Sequence, residues 1–417
     1  MNKKIIAITI VILVFGALIA WALLSPKNGT VSNTTDTEST GGIGSLFPFF
    51  GGTTGGSATE GSTGDTTGGT GDETPPEIQK DVLRKISNRV IAGVTILPIK
   101  KPLPEEEAVV LPTVRLAERG TGYIFDVDVR GENEKKLTGT TVVRTAEARF
   151  GDNGNSVALR YVKTNNATVA TFLGKVTPNP EGGVGDLKGQ FLPDNIIDLV
   201  FSPDGKSLAY LLKNSNGSVG FTTKSDGTSR SQSFTSPFSE WLLGWSEAGL
   251  NVTTKAASTI PGYMYQVKSG ALTKIFGGIE GLTTLASPNG KQILYGIGDE
   301  GTTSLYVRNL STGDDINLGL TTLPEKCVWG KNNSTVYCGA TDAVPRDAYP
   351  NAWYQGTYFF SDSLWRVDTE TGKTTLLSTT VGLDATQLIL DDEERYLVFV
   401  DKRDGSLWSL DIDKALE

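Results

Sequence analysis

The apolar and polar positions divide the chain into three stretches. Ile5 to Leu24 is a run of twenty uncharged, mostly apolar residues. As a helix it measures about 30 Å, enough to cross a bilayer. Residues 25–77 are Gly, Thr and Ser of low complexity, with too few apolar positions to offset the entropy of ordering, which predicts a disordered linker. From residue 78 to 417 short runs alternate apolar with polar side chains and are split by Gly, Asp, Asn and Pro. A period of two over short runs is the pattern of strands, and no long stripe at the 3.6-residue helical period interrupts it, so the body is expected to be all-β.

The strands repeat. Phe201 opens "FSPDGKSLAY", and close or degenerate copies follow Phe150 ("FGDNGNSVAL"), Ala286 ("ASPNGKQILY"), Trp329 ("WGKNNSTVYC") and Leu390 ("LDDEERYLVF"), with a shortened copy at Trp245 ("WSEAGLNVT"). Each is an apolar strand end, a polar turn and a second apolar strand. Asp-Gly, Asn-Gly or Asn-Asn stands at the turn centre of several copies, where a positive φ is needed. A third strand, a polar turn and a short fourth strand follow most copies, as in "SLYVRNLSTGDDINLG". Four strands repeated at intervals of roughly 40–60 residues are the unit of a β-propeller. The count is seven blades, with six and eight as alternatives. The last blade lacks a fourth strand, and "DVLRKIS" (Asp81 to Ser87) stands before blade one as "EKKLT" stands before blade two. The N-terminal strand is therefore expected to complete blade seven and close the ring, which removes two open sheet edges.

"SPDGKSLAY" and "SPNGKQILY" resemble the repeat of TolB-type and WD-repeat-like bacterial propellers, and the resemblance covers about residues 78–417. It implies the fold and little about function, because propellers host many activities. TolB carries an α/β domain before its propeller and none is read here, so membership of the TolB system is not implied.

Charge and composition narrow the function. Lys3 and Lys4 precede the apolar run, and mostly acidic sequence follows it after Lys27. The positive-inside bias predicts a signal anchor over 1–24, with the N-terminus cytoplasmic and the propeller outside the cytoplasmic membrane. A signal peptide cleaved after Ala20-Trp21-Ala22 is the alternative. The linker contains "SLFPFF", either a contact with a membrane surface or a partner, or a chance apolar patch. The net charge of −9 is spread over the chain with no Lys and Arg cluster, which argues against nucleic acid as a partner. The chain has no His. Ser-His-Asp triads, Cys-His pairs, His-ligated zinc and a His pH switch are excluded with it.

Candidate chemistry is sparse. Cys327 stands five residues before Asn332 and Cys338 five after Asn333, so a turn centred on the two Asn sets the cysteines opposite each other within disulfide range. "TGKTT" at 371–375 lacks the upstream Gly of a phosphate loop. "SDGTS" at 225–229 lacks the spacing of a sialidase Asp-box. The acidic run Asp391 to Glu394 reads as a solvated turn rather than a calcium loop. No metal and no cofactor is expected. A carboxylate pair for glycoside hydrolysis has no spacing signature to select it. The loops entering the first strand of each blade and those joining its second and third strands share one face, and there the sequence is aromatic: Phe191, Asp194, Phe238, Glu240, Trp241 and Glu325, with Tyr349, Trp353, Tyr354 and Tyr358 in the one long insertion, 341–363. These residues form either a hot spot for a protein, peptide or envelope glycan, or the packing that seats the insertion on the ring and plugs its channel. The expected function is a non-catalytic, membrane-anchored binding propeller. A carbohydrate-active envelope enzyme and a structural subunit of an envelope assembly are the alternatives.

Overall fold

The computed structural model describes residues 82–99, 110–179, 181–299, 302–342, 344, 348–380 and 382–417. The apolar run 5–24, the linker 25–77 and its "SLFPFF" segment lie outside them. Among the described residues no helix is long and apolar enough to cross a membrane.

The strands form seven antiparallel sheets of four, six of them in sequence order from the inside out. The inner strands are Ile91–Ile96, Thr145–Gly151, Ile196–Phe201, Trp241–Ser246, Thr283–Ala286, Cys327–Trp329 and Ala385–Leu390. Blade seven takes its outer strand from the start of the body: Leu83–Ser87 pairs with Leu407–Asp411, Leu83 opposite Leu410. The fold is the seven-bladed propeller that the repeat predicts, closed by its N-terminal strand.

The repeated turn joins the inner strand to the second. Its fifth residue has a left-handed φ in all six copies: Gly154, Gly205, Gly249, Gly290, Asn333 and Glu394. Ser202 and Asp204 close the turn on themselves, Ser202 Oγ donating to Asp204 Oδ1 at 2.6 Å while the Lys206 and Ser207 amides donate back to Asp204 and Ser202. Ser287 and Asn289 repeat the same bonds. These polar groups serve turn geometry. Glu394, poorly suited to a left-handed φ, is held by the Lys331 amide and the Tyr337 hydroxyl of blade six. The acidic run thus finds protein partners, and the described residues hold no cluster of metal-ligating side chains.

Second strands such as Ser207–Asn214 are buried on both faces, because each blade is packed between two others. Each of the seven blade interfaces has its own apolar cluster. Cys327 faces Cys338 between the first two strands of blade six, their sulfurs bonded at 2.11 Å.

Candidate functional site

The connections entering the inner strands and those joining second to third strands lie together on what is here termed the insertion face; the repeated turns lie on the opposite, turn face. The insertion runs between Thr335–Ala340 and Ser363–Asp368 of blade six. Trp353 and Phe360 are fully buried and Tyr354 nearly so, in an apolar cluster with Leu323, Val344 and Ala256. Ala256 belongs to the corresponding connection of blade four, where Asn351 also donates to Ser258 Oγ. On the other side blade seven holds the insertion. Trp353 Nε1 and the Phe360 amide donate to Asp384 Oδ2 at 3.0 and 3.1 Å. The Arg403 guanidinium donates to the Phe360 carbonyl at 2.9 Å. The Lys402 ammonium donates to the Trp353 carbonyl and lies 3.6 Å from that indole's centroid.

Beneath these rings the buried Lys326 ammonium bridges Asp362, at 2.7 Å, and Asp384. Burial alone would lower Lys326, but the charges of Asp362 and Asp384 hold it above its ordinary value. Burial pushes the Asp362 carboxyl up to about 6 against the pull of Lys326, and brings Lys402 down to about 7. A buried cation removed from such a cluster leaves uncompensated carboxylates, so the cluster clamps the insertion to the ring.

The ten residues singled out from the sequence divide accordingly. Trp353, Tyr354 and Trp241 are buried, which gives Trp353 and Tyr354 the packing role that was one of their two readings. Trp241 donates to the Phe238 carbonyl at 3.1 Å and meets Tyr265 edge-on. Glu325 accepts a hydrogen bond from the Tyr354 hydroxyl. Tyr358 is half-buried, edge-on to Phe360. Tyr349 lies in the turn Ala348–Ala352, its side chain outside the described residues. Asp194, paired with Lys163, and Glu240 are exposed. Phe191 and Phe238 are 65% and 61% exposed. They are not alone: of eight well-exposed large apolar side chains among the described residues, five, Val90, Val143, Phe191, Phe238 and Ile260, lie on the insertion face. They follow one another around the ring from the start of blade one to blade four.

A cavity of about 440 Å³ occupies the ring's centre, lined by the inner strands of blades two to seven, with Asn251 and Thr253 from the second strand of blade four and Glu325 from the turn entering blade six. Apolar residues dominate its wall, with Arg149, Asp198, Asn251, Thr284, Glu325 and Gln387 among them. Asp198 and Gln387 both sit where their inner strand slips register against the second, between Ile196 and Leu199 and between Thr386 and Ile389. Such bulges re-aim side chains. Gln387 adopts φ 51°, costly for a residue with a Cβ. Burial pushes Asp198 up to about 6, while the Leu243 amide, donating to it at 2.7 Å, pulls the other way. Burial also raises Glu325 against the Tyr354 hydrogen bond. Arg149 is paired with the buried Glu147 at 2.9 Å. Sequence reasoning passed over Asp198, Asn251 and Gln387. The available signal is positional: "TAEARF", "IIDLVF" and "ATQLIL" align as inner strands, each with a polar third residue (Glu147, Asp198, Gln387).

No family model matches this chain, and no curated protein matches it by sequence. Its fold is similar to that of oligogalacturonate lyase from Vibrio parahaemolyticus, at 9% identity and TM-score 0.49 over 81% of this chain and 96% of the other. TolB from Acinetobacter baumannii matches at 15% and 0.40, over 62% and 60%. A puromycin hydrolase matches at 15% and 0.48, over 78% and 52%.

Proposed function

We propose that this chain is a membrane-anchored binding propeller: residues 5–24 hold it in a membrane, residues 25–77 tether it, and the ring outside the cytoplasmic membrane binds a protein, peptide or envelope glycan through its insertion face. The observation that carries the reading is the concentration of exposed apolar side chains there, over blades one to four, beside an insertion whose own aromatic residues are committed to packing. Aromatic side chains left in water on one face are what an interface covers. The Cys327–Cys338 bond supports an oxidising compartment.

The test is affinity capture by the full-length chain from solubilised membranes of its own host, with a Phe191→Ser, Phe238→Ser double variant beside it. A partner held by the parent and lost from the variant, at an unchanged melting temperature, is expected. Equal recovery by both, or recovery of nothing by the parent, overturns the reading.

A further inference from the structure

The insertion-face reading leaves the central cavity unused, and its lining has a chemistry of its own. Two side-chain amides, Asn251 and Gln387, line it. Amides offer both donors and acceptors. Gln387 is there at the cost of a left-handed φ inside a strand, and such strain persists where surrounding structure enforces it, often at ligand sites. Phe150, Phe201 and Trp245 supply flat apolar walls. The volume of about 440 Å³ falls within the ~300–1,000 Å³ of small-molecule sites.

Charge selects among ligands. Glu147 is shared by Arg149 and the buried Arg160, and Asp198 lies in the field of both guanidinium groups, so the wall carries charges of both signs and an anion would face Asp198. A cation would face the Arg149 guanidinium. The two remaining carboxyls, Asp198 and Glu325, have burial opposing their ionisation. Paired amides, carboxyls and a hydroxyl beside aromatic walls match a molecule that is neutral, rich in hydroxyls and apolar on its ring faces. The cavity shares Phe150 and Ser202 with a recess of about 220 Å³ on the turn face, while the insertion meets Glu325 at the other end.

We infer that the central channel is a second binding site, for a small neutral saccharide that enters from the turn face, held by Asn251 and Gln387 against Trp245. The full-length chain in detergent is titrated calorimetrically with N-acetylglucosamine, its β-1,4 dimer, cellobiose and maltose, and with spermidine and inorganic phosphate as charged probes. One-to-one binding of a saccharide at millimolar or tighter affinity is expected, weakened roughly tenfold or more by Gln387→Gly and by Asn251→Ala, as for a lost hydrogen bond. Gln387→Gly also relieves the backbone, so its melting temperature holds or rises; if that variant does not fold, Asn251→Ala decides. No saccharide binding, binding of the charged probes alone, or saccharide affinity unchanged in the variants overturns the inference. The Phe191, Phe238 variant leaves the channel intact and should bind the saccharide as the parent does, so this site and the insertion-face reading fail separately.

Discussion

Asp198 shows how one inner-strand position couples the channel to folding. Its carboxyl is buried, accepts the Leu243 and Leu199 amides, and lies near Glu147, Arg149 and Arg160, whose charges partly cancel. With a folded value of about 6 against 3.8, the native state holds a proton that the unfolded chain releases. The associated stability is fully present below pH 3.8 and is lost as pH rises through about 6. Chemical denaturation from pH 3.5 to 7 should therefore show the parent losing about 3 kcal/mol relative to Asp198→Asn across that window. Parallel curves would contradict the burial of a protonated acid there. The residue was legible only in part. A polar third position in an apolar inner strand is visible in "IIDLVF", but the bulge that turns Asp198 toward the channel depends on pairing with Leu212 and Tyr210, which a strand period does not encode.

At the scale of an element, the blade-six insertion carries the clearest division between what composition announces and what packing decides. Its aromatic content, its place between second and third strands and the face it shares with the inner-strand loops follow from the repeat. Its burial does not, because its partners are remote: Asp384 lies 58 residues from Lys326 and 31 from Trp353. Trp353 fills the cluster floor and satisfies Asp384, so Trp353→Ala leaves both a cavity and a buried acceptor short of a donor. The expected cost is about 3–5 kcal/mol, read as a drop in denaturation midpoint. Phe191→Ala, on the same face but largely exposed, should shift it by under about 0.5 kcal/mol. A loss of partner capture by Trp353→Ala at unchanged stability would return that side chain to the contact surface.

The whole ring depends on one short strand from outside the repeat. Leu83–Ser87 is hydrogen-bonded to Leu407–Asp411, and its side chains serve two interfaces: Leu83 packs in the cluster between blades six and seven, Ile86 in the one between seven and one. Lys85 adds an ion pair to Asp404 at 3.2 Å, a minor term at that exposure. Sequence periodicity was sufficient here, since a three-stranded last blade and an unpaired strand before the first blade have one mutual solution. Deleting residues 82–87 removes the buried Val82, Leu83 and Ile86, roughly 5 kcal/mol of apolar burial, and leaves Leu407–Asp411 as an open edge able to pair with another molecule. A chain starting at residue 78 should match the full-length chain in denaturation midpoint and remain monodisperse in light scattering. One starting at residue 88 should unfold at lower denaturant and self-associate, because each interface in a closed ring is braced by the next and the break falls on two of them. Equal stability of the two truncations would mean that the ring is closed by contacts other than this strand.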